Sequence, residues 1–211
     1  VTVDDFNGCT LAATITVGGP PAITISAITP AQPLCNGGTD GSIVITGSAS
    51  ATGYSITGGA PFFPTGTFTG LPAGPYTITV QDASGCTATG TTTITQPTPL
   101  TVTPSLDQTI CFGQSITISA AGGGATPAYS YAWMGPSGPA GTTASTLVTP
   151  TIVGANVYTV TVTDANNCGP VTATVTITMN PQLAVTASAD QTICPGASAI
   201  ISAIGSGGNG G

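Results

Sequence analysis

Hydrophobic and polar residues alternate along most of this chain with a period of two. That spacing places every second side chain on the same face of a β-strand. In Ser42-Ile43-Val44-Ile45-Thr46 the isoleucines share one face, and in Tyr76-Thr77-Ile78-Thr79-Val80 the apolar residues point inward and the threonines outward. The pattern returns in Ser115-Ile116-Thr117-Ile118-Ser119, in Tyr158 to Thr163, and in Val171 to Thr178. Helical patterning is absent. About seven short strands per ~80 residues, with turns every ~8–12 residues, predict an all-β protein of two-sheet sandwiches.

Proline marks where the sandwiches should meet. Gly18-Gly19-Pro20-Pro21, Gln96-Pro97-Thr98-Pro99 and Asn180-Pro181 each follow a Thr-rich strand. A proline cannot extend a hydrogen-bonded ladder and holds φ fixed, so these joints read as short, stiff connectors. The expected division is 1–19, the end of a truncated repeat; 20–97 and 98–180, two whole repeats; and 181–211, the start of another.

The cysteines show the repeat best. Asp5-Phe6-Asn7-Gly8-Cys9, Asp82-Ala83-Ser84-Gly85-Cys86 and Asp164-Ala165-Asn166-Asn167-Cys168 each place an Asp four residues before a Cys, after a strand. We call these closing turns. Opening turns begin at Asp107-Gln108-Thr109-Ile110-Cys111-Phe112-Gly113 and Asp190-Gln191-Thr192-Ile193-Cys194-Pro195-Gly196, with Cys35-Asn36-Gly37-Gly38 in the same place one repeat earlier. The alternation favours disulfides Cys35–Cys86 and Cys111–Cys168, within repeats. Cys9 and Cys194 would then pair with cysteines outside these residues, in a polypeptide continuing past both ends. The competing pattern, Cys9–Cys35, Cys86–Cys111 and Cys168–Cys194, would staple neighbours across the proline joints. A bridge within a repeat closes a loop of about 50 residues, worth about 4 kcal/mol on the chain-entropy model.

Composition narrows the function. The chain has no Lys, Arg or His, and its seven acids are all Asp, for a net charge of −7. Nucleic-acid binding lacks the cations that supply most of its affinity. The usual general bases and nucleophile activators are missing, so the chain reads as a non-enzyme with no cofactor. Mean hydropathy is +0.40, yet no apolar run approaches the ~18 residues of a membrane span, so no membrane insertion is expected. Six cysteines without a Cys-x-x-Cys motif point to disulfides in an oxidising, extracellular place rather than to zinc. Trypsin-like proteases find no Lys or Arg to cleave.

Trp133, in Tyr129-Ser130-Tyr131-Ala132-Trp133, falls where the third strand of an immunoglobulin-like sandwich carries its core tryptophan. Tyr76 and Tyr158 stand where a tyrosine corner is expected. The first whole repeat has no Trp and offers Tyr54-Ser55-Ile56 instead. The stretch from Cys35 through Gly70-Leu71-Pro72-Ala73-Gly74-Pro75-Tyr76 to Cys86 resembles the SprB repeat of gliding Bacteroidetes adhesins, and 1–19 looks like the end of another. The second whole repeat and 181–211 resemble the Ig-like or PKD-like repeats of the same giant surface proteins. That resemblance implies gliding motility, export by the type IX system and display on the cell surface. It carries over no catalytic residue.

Each candidate site has an ordinary reading beside a sharper one. Asp4 and Asp5 are adjacent on a strand, so their side chains diverge and cannot form an acid–base pair. Asp5, Asp82 and Asp164 precede turns, where a carboxylate bonds the backbone as in an Asx turn; calcium is the alternative. One Asp per turn, with no second carboxylate nearby, makes calcium the weaker reading. Asp40 reads as another turn residue. Phe62-Phe63, between Pro61 and Pro64, is either a plug over the end of a sandwich or a contact to a neighbour or ligand. Trp133 as a sugar platform and the threonine ladders as an ice-binding surface are weaker readings. Edge strands here carry no lysine guard, which permits lateral association.

These readings converge on a structural repeat segment of an extracellular adhesin or surface filament, disulfide-clamped and load-bearing. Its expected partners are neighbouring repeats or identical chains in a filament. The alternative is a carbohydrate- or protein-binding module acting through loop aromatics, with surface polysaccharide as a candidate partner.

Overall fold

A computed structural model describes residues 1–16, 18–19 and 21–208. Val17 and Pro20, within the expected tail and first joint, and residues 209–211 at the glycine-rich end lie outside the described residues. Every regular element among the described residues is a strand. The chain forms two compact units, residues 1–31 with 42–94 and residues 32–41 with 95–211. Segment 32–41, read from the sequence as part of the first whole repeat, therefore belongs to the second unit.

In the first unit, β1 (Thr2–Asp4) and β2 (Thr10–Ala12) form an exposed antiparallel hairpin. The sandwich follows, with β3 (Ile25–Ala31), β4 (Gly41–Gly47), β5 (Ala51–Ser55), β6 (Thr67–Leu71), β7 (Gly74–Asp82) and β8 (Thr87–Ile94). Its sheets run β3-β4-β6 and β5-β7-β8. Ile23, Ile43, Ile45, Ile78, Val80 and Ile94 make the buried core. Val44, between two core isoleucines, is exposed, as period two requires.

Thr79 departs from the expected outward ladder. It and its cross-strand partner Ser55 are both buried. After β5 the chain folds back through a bridge between Thr57 and Thr77, and Gly58 donates its amide to Thr77 O at 2.9 Å. A Cβ on Gly58 would meet Thr77 Cγ2 at 3.2 Å. Thr77 and Thr79 share a face, so this loop covers the surface that alternation alone assigns to water.

In the second unit, β9 (Thr101–Pro104), β11 (Ile116–Gly123) and β14 (Ser145–Val148) form one sheet in the order β14-β11-β9. The facing sheet has the order β10-β16-β15-β12-β13, built from β10 (Gln108–Ile110), β12 (Ser130–Gly135), β13 (Gly138–Gly141), β15 (Gly154–Thr163) and β16 (Val171–Met179). β10, in the Asp-Gln-Thr-Ile opening motif, runs parallel to the last strand, and Asp107 Oδ1 accepts the Thr176 amide at 2.7 Å. This is an immunoglobulin-like sandwich.

Trp133 on β12 is 1% exposed and packs with Ile118, Ala120, Val160, Val162, Val175 and Ile177. Its Nε1–H donates to Thr143 O at 3.0 Å. Antibody domains place a disulfide between the strands flanking this tryptophan; here aliphatic side chains of β11 and β15 fill that space. A final hairpin, β17 (Ala184–Ala187) with β18 (Ala203–Ser206), lies exposed.

Tyr76 makes the expected corner, its hydroxyl donating to Pro72 O at 2.8 Å. Tyr158 does not. The corner bond falls two residues earlier, on buried Asn156, whose Nδ2 donates to Ile152 O at 2.8 Å. Tyr158 packs under Gly135, where a Cβ would meet its ring at 2.6 Å. Burial pushes its phenol pKa up.

Candidate functional site

The local conformations of the cysteine turns repeat as closely as their sequences. In the opening turns, Cys35 O accepts from Gly38 N at 3.0 Å, Cys111 O from Gln114 N at 3.2 Å, and Cys194 O from Ala197 N at 3.0 Å. The third residue is in each case a glycine with positive φ: Gly37 at 73°, Gly113 at 77° and Gly196 at 87°. A left-handed residue at that position is what a type II turn demands, and glycine adopts it without a Cβ clash.

The closing turns are held by their aspartates. Asp5 Oδ1 accepts from Cys9 N at 2.8 Å, Asp82 Oδ1 from Cys86 N at 2.9 Å, and Asp164 Oδ1 from Cys168 N at 2.8 Å. Gly8 and Gly85 take positive φ just before the cysteine, and Asn167 does so in the third turn at 57°. Asn is the non-glycine residue that best tolerates this region, which explains the one substitution in the motif. These carboxylates are thus engaged by backbone amides, and among the described residues no group of three or more Cys, Asp, Glu or His forms a metal-sized cluster.

Cys35 is bonded to Cys168, 133 residues away, with Cα atoms 5.3 Å apart. This corrects the expected pairs Cys35–Cys86 and Cys111–Cys168. Cys86 and Cys111 are unbonded and exposed, as are Cys9 and Cys194. The physical reason lies in where segment 32–41 sits. Asn36 Nδ2 donates to Pro97 O at 2.9 Å, and Gln96 Oε1 accepts the Gly37 amide at 2.8 Å. These bonds pin the first opening turn to the residues that lead into the second sandwich. Leu34 O then accepts from Asn166 Nδ2 at 3.2 Å, inside the closing turn that carries Cys168. Asp40 steadies the loop by accepting the Leu34 amide.

Asp164 is the hub of this closing turn. It is 3% exposed, and its Oδ2 accepts the Thr126 amide at 3.2 Å. Asn166 Nδ2 also reaches Thr126 Oγ1 at 2.9 Å. Thr126, Asn166 and the Leu34 carbonyl carry no signature in the sequence; only Asp164 and Cys168 did. The Cys168 amide, helped by that of Thr126, outweighs desolvation and holds the Asp164 carboxyl below its ordinary pKa. A depressed folded-state pKa contributes stability that is present above the unfolded value and lost as pH falls through the folded one. The thermal midpoint of the second unit should therefore fall as pH drops below about 4. Asp164→Asn, which keeps an acceptor but does not titrate, should blunt that fall. An unchanged acid profile in the variant would count against this role.

Phe62 and Phe63 part company. Phe62 covers Gly53, where a Cβ would meet it at 3.1 Å, so it lies over the outer face of β5 rather than over an end of the sandwich. Phe63 bridges to Tyr54 through paired backbone bonds of 2.8 Å and turns its ring outward, 48% exposed. It meets Phe68 edge to face with centroids 5.6 Å apart. A cleft of about 180 Å³ opens in the second unit, lined by Pro136, Pro139, Leu147, Asn156 and Tyr158 among others. It holds no acid–base pair.

Neither a family model nor a curated protein sequence matches the chain. Solved structures do. The three N-terminal domains of the highly immunogenic outer capsid protein (Hoc) of bacteriophage RB49 superpose with a TM-score of 0.51 at 16% identity, covering 90% of this chain and 71% of that one. Sidekick-1 immunoglobulin domains 1–4 give 0.40 at 11% identity, over 84% of this chain and 56% of theirs. The fibronectin(III)-like modules of Clostridium thermocellum CbhA give 0.36 at 14% identity, over 74% and 93%. At these identities the likeness concerns fold alone. The fold is an all-β tandem of immunoglobulin-like sandwiches.

Proposed function

We propose that this chain is a structural segment of an extracellular adhesin or surface filament, in which tandem sandwiches carry load and perform no catalysis. The observation that supports it best is the repetition of two cysteine turns, each conserved in hydrogen bonding three times along one chain. A periodic chain of this kind suits an array in which each repeat contacts its neighbours. On this reading 1–19, 20–97, 98–180 and 181–211 are parts of four successive repeats. The motif resemblance to SprB repeats suggests a gliding-type bacterial surface protein exported by the type IX route. Labelling intact cells with a membrane-impermeant reagent, then imaging the surface for regularly spaced modules, tests this. Recovery of the protein only inside cells, with all its cysteines reduced, would overturn it.

A second reading is favoured by the ring of Phe63. A large apolar group left half in water beside Phe68 is a contact for a polysaccharide face or another protein. Phe63→Ala should cost only about 1 kcal/mol, the size of an aromatic pair, yet lower retention on native surface polysaccharide at least tenfold. Equal retention by both proteins would remove the reading.

A further inference from the structure

The unbonded cysteines have a partner class that the structure itself identifies. The hairpin β17–β18 reproduces the start of the second sandwich bond for bond. Ser105 N donates to Ser119 O and Ser188 N to Ser202 O, both at 2.7 Å; Ala125 N donates to Thr98 O and Gly208 N to Pro181 O, at 2.9 and 3.0 Å. Ser119 N reaches Ser105 Oγ, and Ser202 N reaches Ser188 Oγ, both at 3.2 Å. Gly124 and Gly207 share a left-handed φ, and a Cβ on either would run into a carbonyl oxygen, of Pro99 and Gln182 respectively. Each atom recurs 83 residues later, as from Ser105 to Ser188.

This repeat sets the two bridging positions side by side. At the first, Cys35 lies beside Gln96 and Pro97, and its partner's turn is anchored on Thr126, the residue after Ala125. At the second, Cys111 lies beside Asn180 and Pro181, with Asn180 N donating to Ile110 O at 2.9 Å. A cleft of about 410 Å³ opens there, lined by Cys111, Phe112, Asn180, Pro181, Leu183 and Gly208. Gly208 is the counterpart of Ala125. The cleft thus occupies the position that the Asp164–Cys168 turn fills beside Cys35.

We infer that Cys111 forms a disulfide with the cysteine of a closing turn, Asp-x-x-x-Cys, supplied from outside this sandwich. The bonding rule joins the opening cysteine of one repeat to the closing cysteine of the next. The same rule gives Cys86 an opening-turn cysteine of a preceding repeat. In forming each bond two thiols lose two protons and two electrons to an external disulfide, which is reduced to two thiols. The rings so closed overlap along the chain, so successive repeats are covalently interlocked. The inference rests on the array reading above for its supply of further closing turns, from the same polypeptide or from a second copy.

The test is peptide mapping of the native protein, alkylated without reductant and cut with an Asp-specific protease and chymotrypsin, which together separate all six cysteines. A Cys111 peptide joined to a closing-turn peptide is expected. A partner sequence found outside residues 1–211 identifies the same polypeptide as its source, and one carrying Cys9 or Cys86 across two chains identifies a second copy. Cys111 joined to Cys86 of its own chain or to an opening-turn cysteine, or alkylated as a free thiol, overturns the inference. Cys111→Ser in the full-length protein should expose one closing-turn thiol to alkylation while Cys35–Cys168 stays intact; no newly reactive thiol would overturn it equally. Intact mass separates the failures. A polypeptide far heavier than 20.3 kDa with Cys111 free defeats only the bonding rule, whereas one of that mass with no second copy attached defeats the array.

Discussion

Pulled from its two ends, the oxidised chain should release roughly 450 Å less contour length than the reduced chain. The bond between Cys35 and Cys168 removes 133 residues from the extensible path, at about 3.3–3.6 Å per residue. Strands β4 to β15 lie wholly within that loop, so tension entering at one end passes through two sulfur atoms instead of through those strands. Single-molecule force spectroscopy with and without reductant reads this directly, and equal contour lengths would refute the bond. The same closure lowers the entropy of the unfolded chain by an amount worth about 5 kcal/mol on the loop-entropy model. That is comparable to the whole stability of many single domains. Reduction should therefore lower the unfolding midpoint steeply and open the chain to chymotrypsin, while trypsin still finds no Lys or Arg to cut.

Replacing Trp133 with alanine should destabilise the second sandwich by about 3–5 kcal/mol, the usual range for deleting a buried large aromatic. The ring is 1% exposed at the centre of a cluster drawn from both sheets. Its loss leaves a cavity and also strands the Thr143 carbonyl that accepts its Nε1–H. Trp133→Phe should recover most of the packing but not that bond, and so fall between the two. Denaturant unfolding followed by circular dichroism measures both. A Trp133→Ala protein within about 1 kcal/mol of the parent would mean that the sheets are held by something other than this core.

Much of this was legible in the residues. Period-two alternation located β4, β7, β11, β15 and β16, because a strand buried on one face must repeat its apolar side chains at every second position. Trp133 was placed correctly because its spacing from the strands around it is a property of the sandwich. The turn aspartates were legible too. Asp5, Asp82 and Asp164 act over four residues, and an interaction that short is written in the local sequence.

Other features depended on what approached from elsewhere. Thr79 obeys the strand period and is nevertheless buried, because the loop after β5 folds over its face. Tyr158 has the corner's position but Asn156 has its bond, since the Tyr158 ring is taken up beneath Gly135. The Pro-Phe-Phe-Pro loop reads as one aromatic pair, yet the Phe62 ring lies over Gly53 on the outer face of β5 while Phe63, bridged to Tyr54, keeps its ring half in water.

The sequence by itself determined the strands, the two kinds of turn and the lack of any cationic side chain, all consequences of residue identity. Only the tertiary structure decided which cysteines meet. The three opening turns are locally equivalent, as are the three closing turns, so nothing within either motif distinguishes one partner from another. The choice is made by Asn36 and Gly37, which tie segment 32–41 to Gln96 and Pro97 and bring Cys35 within bonding distance of Cys168. Contacts across 59 and 61 residues are set by how chain segments pack in space, and a repeating local motif carries no information about that.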